Sequence, residues 1–124
     1  MNILDSSGWL SFFSGDENAG TFATVIKDTD HLLVPTICLY EVFKRVYSQR
    51  GDEEALKVSG VMSLGKVEEL TAEITINAAI ISVENKLAMA DSVILATARA
   101  NQATLWTQDK DFSGFEGVEY IERR

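Results

Sequence analysis

The sequence predicts an α/β fold: a central, mostly parallel five-stranded sheet flanked by helices in three layers. Three observations predict it. Short apolar runs alternate with longer segments of helical periodicity along the whole chain. No repeat, low-complexity stretch or Pro-rich linker interrupts that alternation, so residues 1–124 read as a single domain with one modest core. Acids stand directly after two of the apolar runs, at Asp5 and Asp109, and parallel sheets bind ligands beyond the carboxyl ends of their strands.

The elements follow in order. Asn2 to Leu4 reads as a short strand. Ser6, Ser7 and Gly8 offer a turn or cap, and Trp9, Phe12 and Phe13 mark a helical face. Gly15 to Asn18 is a loop, after which Ala19, Phe22, Ala23 and Ile26 recur at helical spacing. Leu32 to Val34 is a second strand closed by Pro35, the only proline. Thr36 is placed to cap the next helix, where Leu39, Val42, Phe43 and Val46 form an i, i+3, i+4, i+7 stripe expected to be buried. Arg50-Gly51-Asp52 breaks that helix, and Glu53 and Glu54 open another that ends near Gly65, acids suiting a helix N-terminus. Val67 to Leu70 is the third strand. Thr71 begins a helix carrying Ile74, Ala78 and Ile81, and Asp91 to Asn101 forms one more. Ala103 to Thr107 is the fourth strand, Gln108 to Gly117 a loop, and Val118 to Ile121 the fifth strand.

The composition narrows the function. A hydrophobic fraction of 46% and a charged fraction of 24% are those of a globular domain. One cysteine, Cys38, excludes an intrachain disulfide. The opening Met1-Asn2-Ile3-Leu4-Asp5 lacks the basic start of a signal peptide, and no apolar run reaches the roughly 20 residues of a membrane span. The cytoplasm is the expected location. A net charge of −8 argues against a general nucleic-acid coat protein, which needs basic surface, but not against an enzyme whose carboxylates hold cations.

Five acids invite a chemical reading, and each has a plain structural alternative. Asp5 and Asp91 both stand where a helix N-cap belongs. Glu41 has Lys44 and Arg45 at i+3 and i+4, the spacing of a surface ion pair. Asp109 and Asp111 could be solvated loop residues, Asp111 capping a turn. Taken together, carboxylates aimed at one small volume repel, and a divalent cation relieves the repulsion. An all-oxygen donor set suits Mg²⁺ or Mn²⁺ rather than zinc. No Ser–His or Cys–His pair competes: His31 reads as structural or exposed, and Cys38 as a small helix residue. Lys44, Arg45 and Ser48 would extend the Glu41 face toward a long anionic substrate.

These residues resemble a known family. Ile3-Leu4-Asp5-Ser6-Ser7 is similar to the opening strand of PIN domains. Glu41, in Thr36 to Val42, resembles their second acid. Leu87 to Ala98, around Asp91, is the strongest match to the third, and Leu105 to Phe112 resembles the last motif. Trp106 departs from the aliphatic residue usual there. The resemblance implies Mg²⁺- or Mn²⁺-dependent hydrolysis of RNA with Asp5, Glu41, Asp91 and Asp109 as catalytic, metal-binding acids. It implies that Ser6 and Thr107 orient them through hydroxyls, with Asp111 behind them. From the residues alone, Lys44 and Arg45 are candidate RNA contacts, with a solvated helical face as the plain alternative. The short form resembles VapC-type toxins, which implies a homodimer silenced by a cognate antitoxin whose tail enters the acidic groove. Two other readings are a catalytically weak PIN-like module that binds RNA or protein, and a phosphoacceptor receiver domain. The receiver would need an acceptor Asp after the third strand, where Thr71 stands, and a Lys after the last, where only Arg123 and Arg124 follow.

Overall fold

The computed structural model describes residues 1–123; Arg124 lies outside the described residues. Strands β1 (Asn2–Leu4), β2 (Leu32–Pro35), β3 (Lys66–Glu68), β4 (Thr104–Thr107) and β5 (Val118–Tyr120) form one sheet in the order β3-β2-β1-β4-β5. Every pairing is parallel. Among the described residues six α-helices flank it: α1 (Ser6–Ser14), α2 (Ala19–Lys27), α3 (Thr36–Arg50), α4 (Asp52–Met62), α5 (Ala72–Asn85) and α6 (Met89–Ala100). No helix among the described residues is long and apolar enough to cross a membrane.

The centre of the sheet reads as it does in sequence because helices cover both faces. Ile3 and Leu4 are fully buried in consecutive positions, and so are Leu33 and Val34 within a few per cent. The reading of Ile74, Ala78 and Ile81 as one buried face of α5 holds, with Thr71 as N-cap accepting from the Ile74 amide at 3.2 Å.

Three expectations need correction. Pro35, not Thr36, is the N-cap of α3; its ring imposes the extended φ of −61° that the cap requires, and no side-chain bond is made. The buried line of α3 is Cys38, Val42 and Val46, whereas Leu39 and Phe43 are half-buried and wall a groove against α4. The third strand starts at Lys66 and stops at Glu68, because its partner β2 ends at Pro35 and leaves no ladder for Leu70.

The topology also removes the receiver reading. That fold places its third strand inside the sheet. Here β3 is an edge, followed by Glu69, Leu70 and Thr71 without an acceptor Asp.

Candidate functional site

Asp5 leaves β1 at the carboxyl edge of the sheet and is buried. It serves as N-cap of α1, its Oδ1 accepting from the Gly8 amide at 3.0 Å. Its carboxylate also accepts from the Ser7 hydroxyl, with oxygens at 2.8 and 2.9 Å. The cap reading of Asp5 is therefore correct and compatible with a role at the sheet mouth. For Asp91 it is not: α6 begins after Ala88 with no side-chain cap, and Asp91 is its third residue. Glu41, half-buried on α3, has no cation partner within 4.0 Å among the described residues; its Oε1 accepts from the Ser6 hydroxyl at 2.7 Å. Asp109 follows β4. Its amide donates to the Thr107 hydroxyl at 2.9 Å, and its Oδ1 accepts from the Asp111 amide at 2.9 Å. Asp109, not Asp111, thus caps the turn that follows.

These side chains meet. Carboxylate oxygens of Asp91, Asp109 and Asp111 lie within 4.8 Å of one another. Asp5 and Glu41 stand outside that set but act on it electrostatically. Burial pushes the Asp91 carboxyl up from 3.8 to about 7, and the charges of Asp109, Asp5, Glu41 and Asp111 add to the push. Burial likewise raises Asp5 from 3.8 to about 6; the donors Ser7, the Gly8 amide and Thr107 oppose it, and the Asp109 charge reinforces it. No Lys, Arg or His nitrogen approaches any of the five within 4.0 Å among the described residues. The protein gathers negative charge at one edge of its sheet, with no cation paired to it within 4.0 Å among the described residues.

The family model described as PIN domain matches residues 3–118. The chain belongs to the PIN domain family. Solved structures agree on the fold. This PIN domain is similar to a toxin–antitoxin complex from Klebsiella pneumoniae, with 22% identity, a TM-score of 0.83 and coverage of 99% of this chain and 100% of that one. It is similar to VapC20 of Mycobacterium tuberculosis, described as a sarcin–ricin loop cleaving toxin, at 22% identity, TM-score 0.74, and coverage of 96% and 99%. It also resembles DNA-bound VapBC from Salmonella typhimurium at 17% identity, TM-score 0.76, and coverage of 98% of each chain. No curated protein sequence gives a significant match.

The donor set of the PIN domain fits a hard cation. Oxygens from three carboxylates already share one small volume, and burial first, then the neighbouring acids, raises the Asp5 and Asp91 carboxyls. The one thiol, Cys38, lies beneath the acids as a buried neutral group: burial pushes it up, the Asp5, Glu41 and Asp91 charges reinforce that, and its Sγ donates to the Leu4 carbonyl at 3.6 Å. His31 is exposed and its Nδ1 sits 3.0 Å from Asp28.

Ser7 is the residue that sequence reading missed. Its hydroxyl donates to Asp5, accepts from the Gln108 amide at 3.2 Å and lies 3.4 Å from the Thr107 hydroxyl, so one atom ties β1 to the end of β4. A signal for it exists. Helical side chains tilt toward the helix N-terminus, so first-turn hydroxyls after an acidic cap fall beside that acid. Ser6 serves Glu41 through its hydroxyl, and Thr107 receives the Asp109 amide. Trp106, the departure from the family pattern, is half-buried and donates through Nε1 to Asn2 at 2.9 Å.

Beside Glu41 opens a cavity of about 380 Å³ whose walls include Ser6, Tyr40, Lys44, Arg45 and Ser48. Lys44 and Arg45 are exposed, and the Lys44 ammonium lies 5.6 Å from the centre of the Tyr40 ring. An apolar groove of about 690 Å³ between α3 and α4, walled by Leu39, Phe43 and Tyr47, shares Tyr40, Lys44 and Ser48 with that cavity.

Proposed function

We propose that this PIN domain, residues 1–124, is a divalent-cation-dependent endoribonuclease and the toxin of a VapBC-like toxin–antitoxin pair. One observation carries the reading: carboxylate oxygens of Asp91, Asp109 and Asp111 share one small volume, Asp5 and Glu41 act on it electrostatically, and no Lys, Arg or His nitrogen comes within 4.0 Å of any of the five among the described residues. Asp5, Glu41, Asp91 and Asp109 are the catalytic acids and would hold Mg²⁺ or Mn²⁺, with Asp111 close enough to share the work. Bound, such an ion neutralises charge on the phosphoryl group and lowers the pKa of a water. Ser7 and the Gly8 amide hold the Asp5 carboxylate, Ser6 holds Glu41, and the Thr107 hydroxyl fixes the Asp109 backbone. Lys44 and Arg45 draw the RNA backbone toward them.

The α3–α4 groove supports the antitoxin. An amphipathic helix fits an apolar groove, and a following arginine would find carboxylates at its end, which guanidinium pairs with bidentately. The exposed row Ile76, Ile80 and Val83 on α5 supports a homodimer. The lone, buried cysteine is in keeping with the cytoplasm.

The test is cleavage of a total RNA pool with Mg²⁺, with Mn²⁺ and with EDTA, beside Asp5→Asn. We expect cleavage with either metal, none in EDTA, and none by Asp5→Asn. Parent-rate cutting by that variant or in EDTA defeats the assignment. Tight RNA binding with no cutting under any condition would instead identify a binding module.

A further inference from the structure

A second pocket opens beyond Asp109. It has a volume of about 420 Å³, and its walls are Gln108, Asp109, Lys110, Tyr120, Glu122 and Arg123. The strand order fixes its place relative to the Lys44 cavity. Helix α3 follows β2 on one side of β1, while the pocket lies at the ends of β4 and β5 on the other. Each pocket includes one of the acids in its wall, Glu41 in one and Asp109 in the other. Each also offers two cations and a tyrosine, in a chain with only 11 Lys and Arg and a net charge of −8. Lys110, Tyr120 and Arg123 are all exposed, and neither cation lies within 4.0 Å of a carboxylate among the described residues.

We propose that this pocket is a second nucleotide subsite, across the acid centre from Lys44 and Arg45, and that it takes single-stranded RNA. The inference rests on the ribonuclease reading and extends it: the strand runs along the carboxyl edge of the sheet, held on both sides of the acids. Lys110 and Arg123 meet two phosphates, and the Tyr120 ring receives a base. Because Glu122 shares the wall, the pocket is not a simple anion trap, and the aromatic ring has to contribute. A ring can stack on a base only when that base has left its own duplex, so the subsite selects single strands.

The experiment is fluorescence anisotropy with a labelled ten-nucleotide RNA in Mg²⁺, in an Asp91→Asn background so that nothing is cut. Lys110→Ala with Arg123→Ala should weaken binding about tenfold and flatten the log–log salt dependence by about 1.4, which is about 0.7 for each of two phosphates. Tyr120→Ala should weaken it at least fivefold without changing that slope, and Tyr120→Phe should restore it. The same RNA annealed to its complement should be insensitive to Tyr120→Ala. The proposal is overturned if the background protein does not bind the RNA, if these variants bind as the background does, or if duplex and single strand respond alike. Failure of the parent to cleave RNA strikes the proposed function instead, and the anisotropy still decides the subsite.

Discussion

Replacing Asp91 by Asn should make the metal-free protein more stable while removing its response to magnesium. The magnitude follows from the cluster. Two unit charges 4.8 Å apart, the limit within which the Asp91, Asp109 and Asp111 oxygens fall, repel by about 0.9 kcal/mol in a water-like dielectric and about 3.5 kcal/mol at an effective dielectric of 20. Asp91 is only half-buried, so solvent screening places each pair near the lower figure. Relief from two neighbours then amounts to about 2 kcal/mol. Against it stands the position of Asp91 in the first turn of α6, where a negative charge gains about 0.3–1 kcal/mol from the helix dipole. No cap is lost, because Asp91 makes none. The net expectation is a gain of about 1–2 kcal/mol, or roughly 4–10 °C in Tm for a domain of this size.

The assay is thermal unfolding of parent and variant at pH 7.5, in EDTA and in Mg²⁺. At a magnesium concentration ten times its Kd, the parent should gain about 1.4 kcal/mol from ligand binding alone. The variant should gain little, because a ligand is missing and the charge that attracts the ion is reduced. An Asp91→Asn protein that melts below the parent in EDTA, or that keeps the full magnesium response, would refute the claim that this carboxylate is held in an uncompensated cluster.

Asp5→Asn should abolish RNA cleavage with a change in Tm of no more than a few degrees, since Asn caps a helix as well as Asp; loss of folding, read by circular dichroism, would contradict it. Ser7→Ala leaves the buried Asp5 carboxylate short of a donor and should cost about 1–3 kcal/mol in urea unfolding and raise the Mg²⁺ concentration for half-activation. An unchanged half-activation would mean that Ser7 does not position Asp5. Asp5 and Asp91 titrate at about 6 and about 7 when folded, against an ordinary 3.8, so between those values the folded state carries the extra protons. Their contribution to metal-free stability is full below pH 3.8 and is lost as pH rises through 6 to 7. Urea titrations in EDTA at pH 5 and pH 8 check this, and saturating Mg²⁺ should shrink the difference. Gly65→Ala sets a Cβ 3.0 Å from the Leu32 carbonyl oxygen, which is fixed in the sheet, and should cost about 1–3 kcal/mol by urea unfolding; a neutral result would show that β3 can shift.

What the sequence disclosed and what it hid divide along a physical line. Features set by local chemistry were legible: the strand Asn2–Leu4 ending at Asp5, the break at Gly51 with its φ of 87°, and the buried face of α5. Features set by the partner an element meets were not. β3 ends at Glu68 because β2 ends at Pro35, and nothing within Val67 to Leu70 says so. Leu39 and Phe43 belong to the right helical stripe, yet they stay half-exposed because they face a groove beside α4 rather than the sheet. The site shows the same division. Asp5 and Asp109 were readable from their places after strands, but the closeness of Asp111 to Asp91 depends on a turn that Asp109 itself caps. That cap makes Asp109 a structural residue as well as a candidate ligand, as Asp5 is through Gly8. Two of the acids are therefore held in place by the fold through hydrogen bonds to their own carboxylates. The repulsion among them becomes a fixed property of the metal-free protein, not one that side-chain rotation can relieve, and a cation that enters meets donors already in position.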